Sequence, residues 1–270
     1  GKVAWDGIAA VESEQDVEFA RESAPALIKT LEVLRSGNKR DFRSLVLISQ
    51  SYGQFAFGFL EEDMLRLPVE DAKYKAARER AALFYGRGRD FGIAALVTRG
   101  MGKAFKSPFP EFKAALRRLG KKDVPALFWT SFSWAGHLNL NLDDPASIAD
   151  LPRIEAMIDR AIELDPGFYF GSALAMKGVI ASARPAMLGG RPNEARASFE
   201  KAMRAAPGYL MTKVLFAQYF ARQQMDEELF GSLLREVLAA DAAALPEQRL
   251  ANELAKRRAS LLLGMQKKLF

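Results

Sequence analysis

The chain contains no cysteine and a single histidine, His137. The first absence excludes a disulfide framework and any thiolate metal site. The second leaves too few imidazoles for a zinc or iron centre of the usual kind, which takes two or more. No Asp-x-Asp-x-Asp-Gly loop is present for calcium, and no Gly-Lys-Ser/Thr loop for phosphate. No cofactor is implied. Long apolar runs are missing as well. The nearest approach, Leu127 to Leu142, is interrupted by Thr130, Ser131, Ser133, His137 and Asn139, and a membrane helix needs roughly 18 unbroken apolar residues. Strand signals are nearly absent: Ser44-Leu45-Val46-Leu47-Ile48 has the propensity, yet it continues to Tyr52, Phe55 and Phe59 at helical spacing.

What is present is helix-forming material. Ala, Leu, Arg, Lys and Glu dominate the 270 residues, and 49% of the chain is hydrophobic, enough for a large buried core. The net charge of +6 and pI near 9.5 are modestly basic. Lys and Arg are dispersed among 33 acids. The densest groups, Arg117-Arg118-Leu119-Gly120-Lys121-Lys122 and Lys256-Arg257-Arg258, read as solvated faces and helix C-terminal charge. Nucleic acid is therefore not an expected partner. The chain starts at Gly1-Lys2-Val3 without an initiator Met or an apolar leader core, so the expectation is a mature or trimmed product.

Apolar residues recur at i, i+4 and i+7 in four places. These are Phe112, Leu116, Leu119; Ile154, Ile158, Ala161; Ala195, Phe199, Ala202; and Phe230, Leu234, Val237, with starts 42, 41 and 35 residues apart. Further apolar helices are expected between them, over about 125–141, 169–187 and 209–224. Ala161 to Pro166, and Gly190 with Ala195, Phe199, Ala202 and Pro207, have the spacing of tetratricopeptide units. A small Ala lets two helices approach, Phe fills the space beyond, and Pro stops the helix before the next. The period exceeds 34 and the Trp-Leu-Gly-Tyr signature is incomplete, so the repeats are degenerate and elongated. The predicted fold class is all-α, a tetratricopeptide-like helical-hairpin array. One domain is expected over 1–270: N-terminal helices to about 65, helix pairs over about 68–245, and a capping helix over about 247–266. Pro68 is expected to open a helix, Asp143-Asp144-Pro145 to cap a short one, and Gly189-Gly190-Arg191-Pro192 to make a turn and a first-position proline.

Six stretches, in order, carry a family resemblance. They are Asp16, Glu18, Phe19, Ala24, Pro25, Lys29 and Glu32; Tyr85-Gly86-Arg87-Gly88-Arg89-Asp90-Phe91; Pro125-Ala126-Leu127-Phe128-Trp129-Thr130 with Trp134; Leu164-Asp165-Pro166-Gly167-Phe168; Pro185 with Leu188-Gly189-Gly190; and Leu250-Ala251-Asn252-Glu253-Leu254-Ala255. Together they resemble the T-component of tetratricopeptide-associated tripartite ATP-independent periplasmic (TRAP) transporters. The resemblance implies a non-catalytic periplasmic accessory subunit that binds the solute-binding P-subunit. It also implies a homo-oligomer, a trimer among the options, around an opening. Family members are commonly lipoproteins, whereas no lipid-acceptor cysteine is present here; membrane association is expected only through an anchor not contained in this sequence.

Each candidate site has a plain and a functional reading. Arg87 or Arg89 either pairs with Asp90 at a bend between helical turns or makes a cationic contact to an acidic partner or a carboxylate ligand. Trp129, Phe132, Trp134 and His137 share one apolar helix, and such a stripe is either core or the lining of a groove. Asn252 reads as a hydrogen-bonder to a neighbouring helix end. Asp143-Asp144 and Asp226-Glu227-Glu228 fall at helix starts, where capping accounts for them without catalysis, so no enzyme is expected. Aromatic and arginine side chains are the usual interface anchors. The expected partner- or ligand-binding residues are Trp129, Trp134, Tyr169, Phe170, Tyr209, Arg87 and Arg89. Rival readings are a generic tetratricopeptide-like adaptor and a helical-superhelix hydrolase of envelope glycans.

Overall fold

The structure of the protein is a computed structural model that describes residues 2–183, 187 and 189–270, with side chains from Gly7 onward. Pro185 and Leu188 of the motif above lie outside the described residues. Every regular element among the described residues is helical. Internal packing divides the chain into two compact units. One comprises Gly1–Asp6 and Glu18–Asp165, the other Gly7–Val17 and Pro166–Phe270.

The first unit contains α2 (Val17–Arg35) from Glu18 on, α3 (Phe42–Phe55), α4 (Glu61–Leu65), α5 (Ala72–Leu96), α6 (Phe109–Leu116), α7 (Val124–Asn139), α8 (Pro145–Ala149) and α9 (Leu151–Leu164). Helix α1 (Lys2–Glu12) is divided between the units. Leu45 to Gly53 of α3 are buried on every side, which is why a segment with strand propensity settles as a central helix. Helices α3, α5 and α7 pack on one another, and α9 packs on α7. Between α3 and α4 the helix widens through a π turn at Ala56–Leu60.

The Tyr85-to-Asp90 stretch, expected as a bend, lies inside the unbroken helix α5. Its glycines serve close approach instead. A Cβ at Gly88 would stand 2.6 Å from Ser133 Oγ and 3.2 Å from the Ser49 carbonyl oxygen, and one at Gly136 would stand 2.5 Å from the Tyr85 ring. The Gly88 carbonyl accepts a hydrogen bond from Ser49 Oγ at 2.7 Å. Pro68 likewise does not open a helix. It begins a turn that closes at Asp71, whose carboxylate caps α5 by accepting from the Lys73 N–H.

The second unit holds α10 (Phe168–Ser182), α11 (Pro192–Ala205), α12 (Met211–Leu215) with a π turn at Phe216–Ala221, α13 (Glu227–Ala239), α14 (Arg249–Gly264) and the short α15 (Gln266–Leu269). Helices α10 and α11 form a hairpin. Gly178 sits under the Phe199 ring, where a Cβ would be 2.7 Å away, and Phe199 stacks on Phe216 at 4.9 Å. Pro192 takes the first position of α11, as expected. All the apolar residues of the four repeated marks are buried, from Phe112 at 0% to Leu119 at 4% exposed. The all-α array is thus built on the side chains whose spacing pointed to it. Asp144 and Asp226 cap α8 and α13 through the Ala146 and Leu229 N–H groups, so the acid clusters at these helix starts have structural work.

Candidate functional site

The second unit carries an unusual backbone segment. After Pro166-Gly167, Tyr169 (φ 45°), Phe170 (φ 59°) and Gly171 (φ 72°) are successively left-handed. Glycine tolerates this, but each ordinary residue held there costs about 1–3 kcal/mol and persists only when its surroundings over-determine it. Several contacts do so. The Tyr169 hydroxyl has one proton and two acceptors, Glu12 Oε1 at 2.8 Å and Gln248 Oε1 at 3.1 Å. The nearer, carboxylate acceptor forms the stronger bond. Gln248, 2% exposed, donates from Nε2 to the other Glu12 oxygen at 3.0 Å, closing a triangle. Ser172 Oγ donates to the Tyr169 carbonyl at 2.6 Å. Gly171 meets α11, where a Cβ would stand 3.3 Å from Ala205 and 3.4 Å from Ala202.

Rings fill the rest. Phe170 stacks on Tyr209 with centroids 5.4 Å apart and planes 17° from parallel. Tyr169 stands edge-on to both, at 5.6 Å and 6.2 Å. All three residues are half-buried. Tyr209 is aimed by its neighbours: Asn252 Oδ1 accepts from the Leu210 N–H at 3.0 Å and its Nδ2 donates to the Gly208 carbonyl at 3.0 Å. Asn252 is therefore the helix-end hydrogen-bonder expected of it. Burial pushes the Tyr169 hydroxyl well above the ordinary phenol range, reinforced by Tyr209 and Glu12. Burial also raises Tyr209, with Glu12 adding to it and a hydrogen bond with Ser172 opposing it.

The remaining candidates lie in the first unit. Trp129 and Trp134 are 2% and 7% exposed, and Trp134 Nε1 donates to Asp150 at 3.0 Å. Side chains so enclosed present no face to a partner in this conformation; they pack the core. His137 is half-buried, and its Nδ1 donates to the Ala82 carbonyl at 3.0 Å. Arg89 pairs with Asp90 at 2.9 Å, as the plain reading had it. Arg87 is exposed, and its guanidinium lies over Tyr52 and Phe84 at 5.8 and 5.9 Å. Beneath it, the buried Tyr52 hydroxyl donates to Glu32 at 2.6 Å. Burial and that acceptor push Tyr52 up to about 12. Burial alone would raise Glu32, but hydrogen bonds from Lys29 and Tyr52 outweigh it and leave the carboxyl low.

Glu12 and Gln248 meet Tyr169, and Glu32 and Tyr52 lie beneath Arg87, from distant positions; none of these four was among the expected binding residues. Among the described residues, no three His, Asp or Glu side chains converge as a metal site would require.

The raised tyrosines make an alkaline prediction. Below pH about 10 the phenols are protonated in both the folded and unfolded chain, and stability is unaffected. Above it the unfolded chain releases protons that the folded one retains, so stability falls by up to about 1.4 kcal/mol per pH unit for each such tyrosine. Urea midpoints taken from about pH 9 to pH 11 should decline in the native protein, and less steeply in Tyr169→Phe. Equal slopes would mean that Tyr169 ionises as freely in the fold as outside it.

Among known proteins, an uncharacterized protein of Treponema pallidum (strain Nichols) is 22% identical over 254 residues, covering 92% of this chain and 79% of the relative. The family described as TRAP transporter T-component matches residues 13–270, from the end of α1 through both units to the last residue. A match of that extent takes in the Glu253–Leu254 helix as well as the Tyr85–Phe91 crossing, and the chain belongs to the T-component family of TRAP transporters.

Proposed function

We propose that this TRAP transporter component is a non-catalytic periplasmic accessory subunit that binds the solute-binding P-subunit and works as a homo-oligomer, passing ligand through an opening. The observation that carries the reading is the family match along residues 13–270. The array supports it, because stacked helices offer broad surfaces and the conspicuous polar clusters are engaged in capping and packing. Of the candidate anchors, Arg87 and the half-buried Tyr169, Phe170 and Tyr209 retain surface, Arg89 adds charge beside Asp90, and Trp129 and Trp134 contribute by holding α7 in place.

The test is titration of the purified protein with a TRAP solute-binding P-subunit from the same organism, followed by calorimetry and light scattering. A defined complex with Kd at or below about 10 μM is expected, with Arg87→Glu and Tyr209→Ala each weakening it about tenfold or more. Absence of any complex at about 100 μM of each protein would overturn the reading. A monomer at every concentration would remove the oligomer opening but leave the pairing.

A further inference from the structure

We propose that the turn Phe168–Gly171 is a two-state element, and that Glu12 at the end of α1 and Gln248 ahead of α14 are positioning residues that latch it in its left-handed form. The residues that follow the turn, Ser172 to Ser182, continue as ordinary right-handed helix. Nothing in Tyr169 or Phe170 themselves favours positive φ, and right-handed values would simply extend α10 toward its start. The contacts that oppose this come mainly from outside the turn. Glu12 and Gln248 hold the Tyr169 hydroxyl, Tyr209 holds the Phe170 ring, and α11 backs Gly171. Local bonds add to these: the Ser172 hydroxyl to the Tyr169 carbonyl, and the long 3.4 Å bond from the Gly171 N–H to the Gly167 carbonyl.

Such an arrangement has two discrete outcomes. With the Glu12 triangle intact, the segment is left-handed and Phe170 lies flat on Tyr209. With it broken, Tyr169 loses the carboxylate bond that offsets the strain of the turn. Reversal of the Tyr169 and Phe170 backbone angles redirects both Cα–Cβ bonds and unstacks the ring pair. The state of α1 thereby sets whether the Tyr169, Phe170 and Tyr209 rings form a continuous face. That this face is a docking surface rests on the proposed function; the existence of the two states does not.

Amide hydrogen exchange on the full chain separates the cases. In Glu12→Ala, amides of Gly171 to Ala173 are expected to exchange about tenfold faster or more, while Glu12→Gln, which keeps an acceptor, changes them far less. Phe170→Asn accepts left-handed angles that Phe resists but gives up the ring stacked on Tyr209, so Glu12→Ala made in the Phe170→Asn background should accelerate exchange less than it does in the native chain. If Glu12→Ala loses its helical circular dichroism, Tyr169→Phe removes the same bond by one atom and is read in the same way. Unchanged exchange at the turn, or acceleration by Glu12→Ala as large in the Phe170→Asn background as in the native one, would overturn the latch and leave Glu12 an ordinary packing contact. Two-state exchange combined with unaltered P-subunit affinity would uphold the latch and count instead against docking at this face.

Discussion

Gly92→Val is expected to destabilise the first unit by about 3 kcal/mol or more, the upper range for an overpacked core. A Cβ at this position would collide with Thr130 Oγ1 and stand 2.9 Å from both Ser49 Oγ and Thr130 Cα. The last of these is backbone, so no rotamer change removes the clash. Thr130 and Ser49 are themselves 0% exposed, and α5 is held against α3 and α7 along its crossing. Relief would require the three helices to separate, losing the contacts that Gly53, Gly88 and Gly136 make possible elsewhere on the same faces. The contrasting substitution is Gly264→Ala at the end of α14. Nothing lies within 4 Å of the point its new methyl group would occupy, so a gain in helix propensity of at most about 0.5–1 kcal/mol, the interior value, should appear with no clash to offset it. Urea denaturation of both variants measures the difference. A tolerated Gly92→Val would show that α5 does not cross α3 and α7 at this distance.

The glycine crossing also shows where sequence reasoning stops. A Gly-x-Gly string serves a bend or a close helix contact equally well, because both need the missing Cβ, and only the partners Ser49, Thr130 and Ser133 distinguish the two. The repeated apolar marks were legible because three and four residues of separation put side chains on one helix face regardless of partner. The tryptophans were ambiguous for a related reason. Helix α7 is buried from Val124 through Ser131, apart from a partly covered Pro125, and a helix enclosed on nearly all sides carries no periodic signal of which face is out. The latch was illegible altogether. Glu12 lies 157 residues from Tyr169, and Gln248 lies 79 from it, and no local pattern announces left-handed angles in Tyr and Phe.

Asn252→Leu is expected to cost about 3 kcal/mol or more, with its effect concentrated on the second unit. The native amide is 0% exposed and satisfies the Leu210 N–H together with the Gly208 and Ala242 carbonyls. Leucine has the same branched outline, with bulkier methyl groups, but leaves one backbone donor and two acceptors without that partner in a dry site, at about 1–3 kcal/mol for each group that stays unsatisfied. The consequence reaches beyond stability, since these include the backbone groups on either side of Tyr209. Once they are released, the Tyr209 ring no longer has a fixed position for Phe170 to stack on, and one support of the left-handed turn goes with it. Asn252→Leu should therefore accelerate exchange at Gly171 to Ala173 as well as at Leu210, whereas Asn252→Asp, which keeps the acceptor for Leu210, should spare the Leu210 amide while losing the two carbonyl bonds. Exchange confined to the Leu210 neighbourhood in Asn252→Leu would separate Tyr209 from the turn and make Glu12 and Gln248 its principal support.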